Sequence, residues 1–338
     1  MAGLLRYYLV RTLQSVVTYI IIVAAVFWLL YLYQPNPLIL LNLNPQLTPS
    51  QKEYLTNLFG FNKPLWDRFL IYMWDMLTFP VFPQNLGISY YYVQPVSTLL
   101  AQRVPRTLLL FGGATIIAYI IGYFVGTIIA WRRGGVLDGS NVVIGLVFYN
   151  MPVYWLGMIF IFIFAFQLHL FPLANFYDPT DKILGQVVGT HPPLGIALLD
   201  ILWHTALPMI VLILISFAGT VLLMRTSMLD VLGENYIDTA IAKGLKEKDV
   251  VFKHAARNAL LPLVTSFVIS MAFAIGGGVL TETVFSYQGV GLLFIQALGL
   301  LDYPVVEATT IIIALLVIIF NWIADLIYAY LDPRVRIA

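Results

Sequence analysis

The sequence predicts an all-α integral membrane protein with six transmembrane helices, an external helical insertion between helices 1 and 2, and a cytoplasmic helical loop between helices 4 and 5. Of its 338 residues, 60% are hydrophobic and only 10% are charged, and the mean hydropathy is +0.88. A soluble domain carries roughly a quarter charged residues. Apolar runs of the length that a bilayer requires alternate with polar segments along the chain.

The first apolar run is too long for the core of a signal peptide and no small-residue cleavage site follows it, so we expect it to be a retained span. The predicted spans are residues 9–33, 107–131, 142–168, 201–224, 260–281 and 305–330. This divides the chain into a cytoplasmic N-terminus with helix 1 (1–33), an external helical segment (34–106) and a five-helix core (107–338) that contains the cytoplasmic loop 227–258.

The basic residues predict the orientation. They concentrate in the N-terminus, in the turn at Arg132 and Arg133, in the loop 225–258 and in the tail at Arg334 and Arg336. These segments alternate along the chain and therefore share one side, which the positive-inside rule assigns to the cytoplasm. We expect a multi-pass protein of the cell membrane with both termini in the cytoplasm.

The polar stretch 234–262 is the longest charged interruption in the second half of the chain. It predicts two short helices hinged at Gly244, where a left-handed helix end would suit glycine. Ile237, Ala240, Ile241 and Leu245 recur at the spacing of one amphipathic helix face. The residues alone leave two interpretations open: a compact knob that docks a soluble partner, or an amphipathic loop that lies on lipid headgroups.

Two other places are candidates for a solute path. Pro152 and Trp155 lie in the third span, where the proline predicts either a structural kink or a bend that lines a path. Gly276, Gly277 and Gly278 interrupt the fifth span just before Glu282. They indicate either close helix packing or a flexible gate beside an acid that faces a pore.

Several functional classes lack their signatures in this sequence. There is no cysteine, no phosphate-binding G-x-x-x-x-G-K-[ST] loop, no H-E-x-x-H and no G-x-S-x-G, and the four histidines have no metal-ligand spacing. A net charge of +1 gives no indication of nucleic-acid binding. We therefore expect no enzyme and no metal site, and a chain that obtains its energy from a partner.

The loop also resembles a known signature. Asp238, Thr239 and Ala240, followed by Gly244, are similar to the Glu-Ala-Ala…Gly loop of the permeases of binding-protein-dependent ABC importers. The stretches LGIS (86–89), RVPRTL (103–108) and LDPR (331–334) resemble the dipeptide/oligopeptide branch, first-permease-subunit type. Two departures occur: HAAR (254–257) replaces an Ile-x-Leu-Pro pattern, and Lys246 replaces a hydroxyl residue that would cap the second helix.

This resemblance implies a function and a set of partners. It implies a permease subunit that pairs with a second homologous permease, two P-loop ABC ATPases and an extracytoplasmic solute-binding protein. ATP and Mg would bind in the ATPases, and this chain would bind no cofactor. The residues implied to couple to the ATPases are Asp238, Thr239, Ala240, Lys243, Gly244 and Leu245.

The substrate stays open at this point, because similar permeases carry di- and oligopeptides, oligosaccharides or nickel. The alternative from a different class is a self-contained channel or secondary transporter. Such a protein would place its intramembrane charges at mid-span, whereas here they lie near the ends of the spans.

Overall fold

The computed structural model describes residues 2–33, 48–50, 53, 56, 62–177, 182–183, 186–187, 194–275 and 278–331, and these residues are almost entirely helical. The helices are α1 (Ala2–Tyr33), α2 (Leu65–Thr78), α3 (Val96–Thr107), α4 (Gly113–Trp131), α5 (Val136–Tyr149), α6 (Val153–Phe160), α7 (Leu194–Leu232), α8 (Asn235–Ala242), α9 (Glu247–Asp249), α10 (Ala256–Ile275), α11 (Val279–Val284), α12 (Val290–Gly299) and α13 (Tyr303–Leu331). A 3₁₀ turn covers Pro83–Leu86, and two short antiparallel strands are β1 (Lys182–Ile183) and β2 (Gln186–Val187).

Two π-helical segments join helices that would otherwise be separate: Leu108–Gly112 between α3 and α4, and Val250–Ala255 between α9 and α10. Each widens the turn of a continuing helix rather than ending it. As a result Val96–Trp131 is one helix of 36 residues. A third π segment, Ile161–Gln167, extends α6 to the end of its helix.

Within the described ranges, four helices are long and apolar enough to cross a membrane: Arg6–Leu32, Val96–Trp131, Gly195–Leu232 and Tyr303–Leu326. A fifth span arises if Asp138–Tyr149 and Val153–Gln167, which meet at 99°, are taken as one broken crossing. These five agree with five of the predicted spans. The remaining prediction, 260–281, includes most of α10 but also crosses residues outside the described ranges, so the six-helix layout stays a prediction.

Helix α7 differs from the prediction in length. It has 39 residues, whereas the predicted fourth span ends at residue 224. The predicted cytoplasmic loop 227–258 therefore begins inside this helix, which ends only at Leu232. At 1.5 Å per residue the helix extends to about 58 Å, so it projects beyond a bilayer core of roughly 30 Å.

Helices α4 and α7 form the closest pair in the core. A Cβ atom at Gly122 would lie 2.4 Å from Oγ1 of Thr220, and one at Gly126 would lie 2.7 Å from Cβ of Met224. Small residues at such positions allow two backbones to approach within a membrane. Further along α7, Arg225 binds Asp138 of α5 through two nitrogen–oxygen contacts of 2.6 and 2.9 Å.

The external segment is fixed to the helical core by a buried acid. Asp302, just before α13, accepts hydrogen bonds from the Ser89 hydroxyl and from the backbone N–H groups of Tyr90 (3.0 Å) and Tyr91 (3.2 Å). Hydrogen bonds from several donors offset the free-energy cost of burying a carboxylate. The apolar side chains of α1, α2, α12 and α13 pack in one cluster beneath this contact.

Candidate functional site

The predicted knob at the cytoplasmic end begins with α8 and turns at Gly244. This glycine has a φ of +73°, which confirms the left-handed helix end, and its N–H donates to the carbonyl of Ile241 at 2.9 Å. Only glycine adopts this conformation without cost. A Cβ atom at this position would meet nothing within 4 Å, so the constraint on residue 244 comes from the backbone and not from packing.

The second helix of the knob differs from the prediction. It is not a separate short helix, because α9, the π segment Val250–Ala255 and α10 follow one another without a break. Pro262 lies inside α10 rather than at the start of a new segment. Lys246 occupies the N-cap position without a side-chain hydrogen bond, as expected for a residue that has no hydroxyl to accept one.

The predicted single apolar face of α8 is divided between two environments. Ile237 and Ala240 are only 2% and 5% exposed, whereas Ile241 and Leu245 are 51% and 41% exposed. The buried pair packs with side chains of α4, α7, the π segment and α10, among them Met224, Met228, Val250 and Ala255. Ala240, implied above to contact a partner, instead anchors the knob to its own chain.

The other implied coupling residues lie on the outer surface of the knob. Asp238, Thr239, Lys243, Gly244 and Leu245 are all exposed. The surface is therefore amphipathic, with an apolar patch of Ile241 and Leu245 beside charged groups. Ile241 was not among the predicted contact residues, and its position one turn from Ile237 predicts the same face, so the sequence carried no signal for its exposure.

Side-chain contacts hold the part of the knob formed by α9 and the start of the π segment in place. Nε1 of Trp131, at the end of α4, donates to Oε1 of Glu247 at 2.5 Å. Nζ of Lys253 lies 2.8 Å from Oδ1 of Asp249, and this hydrogen bond lowers the pKa of the Asp249 carboxyl. The knob is thus attached both to α4 and to the start of the long helix that contains α10.

Glu282 does not face an open path. It is fully buried, its Oε1 accepts a hydrogen bond from Oγ1 of Thr107 at 2.8 Å, and its Oε2 accepts one from the N–H of Leu292 at 2.9 Å. A Cβ atom at Gly289 would lie 2.3 Å from its Oε1. The prediction of a pore-facing acid is wrong, because these donors enclose the carboxylate and hold α3 against the turn before α12.

The other path candidates are not brought together into one site. Gly276 and Gly277 lie outside the described residues. A Cβ atom at Gly278 would lie 2.7 Å from Cζ of Phe111, which favours the close-packing interpretation at that position. Pro152 is the N-cap residue of α6, at the break between α5 and α6, and Trp155 is exposed on α6.

A polar cleft between α4, α7 and α10 was not predicted. It has a volume of about 550 Å³, and seven of its lining side chains carry hydroxyl groups: Tyr149 of α5 and, on the three helices, Thr115, Tyr119, Ser216, Thr220, Ser266 and Ser270. The six on the three helices form pairs. On each helix these residues are four positions apart and so share one face. This spacing is visible in the sequence as a polar face on each of three apolar spans, but it does not show that the three faces meet. We call this site the hydroxyl cleft.

At the centre of the hydroxyl cleft, the hydroxyl of Tyr119 lies 2.7 Å from Oγ of Ser266 and 2.7 Å from Oγ of Ser270. Two other hydroxyls bond to backbone carbonyl groups of their own helices, Thr115 to Phe111 at 2.8 Å and Thr220 to Phe217 at 2.9 Å. The polar atoms of this cleft are therefore ordered, and they can both donate and accept hydrogen bonds.

Comparison with known proteins identifies the family. The model of the binding-protein-dependent transport system inner membrane component matches residues 118–337, and the model of its N-terminal region matches residues 4–111. The chain belongs to this family. It is a multi-pass membrane permease of the ABC importer type, which confirms the resemblance drawn from the loop and the flanking motifs.

Curated relatives of the permease match over nearly their whole length. The dipeptide transport system permease protein DppB of Lactococcus lactis subsp. cremoris is 33% identical over 335 residues, with 99% of this chain and 100% of that protein covered. DppB of Escherichia coli K12 is 34% identical over 338 residues, with 97% and 98% covered. The oligopeptide transport system permease protein AppB of Bacillus subtilis is 33% identical over 331 residues, with 98% and 99% covered.

The permease architecture explains how the two ends of the molecule differ. At one end, α8 offers an exposed surface whose core residues are held by α4, α7 and α10. At the other end, the buried acids Glu282 and Asp302 hold turns and the external segment in place. Between them lies the hydroxyl cleft. Among the residues that the structure describes, no group of three His, Cys, Asp or Glu side chains could hold a metal ion.

Proposed function

We propose that this permease, together with a second homologous permease, forms the translocation path of an ATP-driven importer of di- and oligopeptides, which an extracytoplasmic solute-binding protein delivers. The observation that carries the proposal is the match over 97–99% of the chain to permeases named for dipeptide or oligopeptide transport. The orientation that follows from the basic residues places both termini and the knob in the cytoplasm.

The knob would seat in a groove of a partner ATPase. Its exposed side supplies Asp238, Thr239, Lys243 and Leu245 around the turn at Gly244. Two P-loop ATPases would bind ATP and Mg, since this chain has no phosphate-binding loop of its own. Ala240 packs on the permease core, so it holds α8 in place rather than contacting the partner.

ATP-driven closure of the ATPases would then move the knob and with it the helices to which it is joined. The contact between Trp131 and Glu247 links the knob to α4, and the unbroken helix from α9 into α10 links it to the fifth predicted span. A displacement at the knob therefore reaches two walls of the hydroxyl cleft. Reorientation of these walls would alternate access to the path between the two sides of the membrane.

The proposal is tested by reconstituting the permease pair, the ATPases and the binding protein into liposomes. We expect uptake of a radiolabelled dipeptide that requires ATP inside and the binding protein outside. Uptake of a labelled oligosaccharide or of Ni²⁺ in place of the dipeptide would overturn the substrate assignment. Solute uptake by this chain alone, without any ATPase, would overturn the importer and support a self-contained channel.

A further inference from the structure

We propose that the hydroxyl cleft binds the backbone of the peptide in transit through uncharged hydrogen bonds, so that the permease handles peptides without regard to the charge of their side chains. This inference rests on the proposed function and specifies how the path holds its substrate. Three features carry it: the depth of the cleft in the membrane, the chemistry of its lining, and its open volume.

The hydroxyl groups lie near the middle of the predicted spans. Tyr119 is the central residue of span 107–131, and Ser270 lies at the middle of span 260–281. A hydroxyl at this depth is costly if it faces hydrocarbon without a hydrogen-bond partner. Polar residues in spans therefore face other helices or a water-filled cavity. Hydroxyl pairs on three helices that surround one open volume indicate a cavity.

Helix association alone explains part of this arrangement. Serine and tyrosine often hydrogen-bond across membrane helices and hold them together, and Tyr119 does join α4 to α10 in this way. Helix association does not explain why a volume of about 550 Å³ stays open beside the bonded groups. Nor does it explain Ser216, which lines the cleft from α7 and is exposed.

The hydroxyl groups of Tyr119, Ser266 and Ser270 still have a hydrogen-bond donor and acceptors available for a ligand. The Tyr119 hydroxyl has one proton, so it donates to one serine and accepts from the other. The serine that accepts keeps its own proton free to donate, and both serines keep lone pairs. The group of Tyr119, Ser266 and Ser270 can therefore serve both the C=O and the N–H of a peptide unit.

None of the described residues that line the cleft carries a charge. Apart from the seven hydroxyl residues, the described lining is apolar or has no side chain: Phe111, Ala114, Leu212 and Gly219. A fixed charge would favour peptides of opposite charge and repel the others. A neutral wall instead recognises the backbone, which every peptide shares. It also binds weakly enough for the substrate to leave, a condition that transport requires.

The experiment uses the complete importer in liposomes and compares ATP-dependent uptake of lysyl-alanine, dialanine and glutamyl-alanine. Tyr119→Phe and the double variant Ser266→Ala/Ser270→Ala remove the central hydrogen bonds. We expect each to lower the uptake of all three peptides by about tenfold, the effect of losing one to two hydrogen bonds. Complex assembly should match the wild type, and thermal stability should fall only slightly, because these hydrogen bonds also join α4 to α10.

Thr265→Ala is the matched control. Thr265 is the neighbour of Ser266 on α10, but it does not line the cleft, and its hydroxyl donates to the carbonyl of Leu261 in its own helix at 3.1 Å. We expect this variant to transport like the wild type. Equal losses in the control and in the cleft variants would overturn the inference, as would a loss of assembly or thermal stability that parallels the loss of uptake.

Ser216→Asp tests the neutral wall directly. Ser216 lines the cleft and is exposed, so a carboxylate there would face the open volume rather than packed side chains. We expect the uptake ratio of lysyl-alanine to glutamyl-alanine to rise at least threefold over the wild type, which helix association alone would not produce. An unchanged ratio overturns the inference. Absence of dipeptide uptake by the wild-type importer would instead refute the proposed function, so the two failures are distinguishable.

Discussion

Substitution of Gly244 by alanine tests whether binding of the ATPase depends on the backbone conformation of the knob. At a φ of +73° a side chain with a Cβ atom is strained, and the left-handed conformation costs an L-residue about 1–2 kcal/mol. No atom lies within 4 Å of the Cβ position, so no steric clash adds to this cost. If the turn must keep this shape to seat in an ATPase, the affinity for the ATPase should fall by about 5- to 30-fold.

The measurement is the binding of the purified ATPase to the permease pair in detergent, by biolayer interferometry. Gly233→Ala is the control, because Gly233 is in the same loop without a positive φ, and its Cβ atom would make an ordinary contact of 3.6 Å with the carbonyl oxygen of Asp230. Gly244→Asn should lose less affinity than Gly244→Ala, since asparagine enters the left-handed region more readily. Wild-type affinity in Gly244→Ala, or an equal loss in Gly233→Ala, would refute the argument.

Three further predictions concern packing and buried acids. Gly126→Val should separate α4 from α7, because its Cβ atom would meet Met224 at 2.7 Å. Overpacking of this kind costs about 1–3 kcal/mol and should lower the unfolding temperature in detergent. The control Gly139→Ala, at a position that faces open space, should leave the unfolding temperature unchanged. Glu282→Gln should destabilise the protein by about 1–3 kcal/mol, because the amide keeps only one acceptor oxygen for the donors around it; normal stability with altered peptide selectivity would contradict the structural role. Asp302→Asn should loosen the external segment and speed its cleavage by trypsin without changing ATPase binding. An unchanged rate of cleavage would contradict the role of Asp302 in holding this segment.

The sequence predicted the features that depend on local composition. The agreement of five spans follows from hydropathy, which is a property of the chain read residue by residue. The turn at Gly244 was predictable because glycine is the residue that a left-handed helix end requires. The predicted fourth span ended at residue 224, where the apolar run stops, although the helix continues past Arg225 to Leu232.

The features that the sequence did not predict depend on residues far apart in the chain. The role of Glu282 is set by Thr107, 175 positions away, and by Leu292, 10 positions away. The apolar spacing of α8 indicated one face, but tertiary packing buries Ile237 and Ala240 and leaves Ile241 exposed. The hydroxyl cleft depends on three helices meeting, and pairs of hydroxyl residues within single spans do not show which helices will be neighbours.

The unbroken helix from Glu247 to Ile275 has a mechanical consequence. Its parts of 3, 6 and 20 residues give a rod of about 43 Å at 1.5 Å per residue. If such a rod tilts by about 10° around its midpoint, each end moves by roughly 4 Å in opposite directions. A push on the tip at Glu247 is thus converted, as by a lever, into a counter-movement near Gly278. The wide π turn at Val250–Ala255 lies close to the pushed end and Pro262 lies near the midpoint of the rod, so the compliance of this lever is concentrated where the force enters and at the pivot.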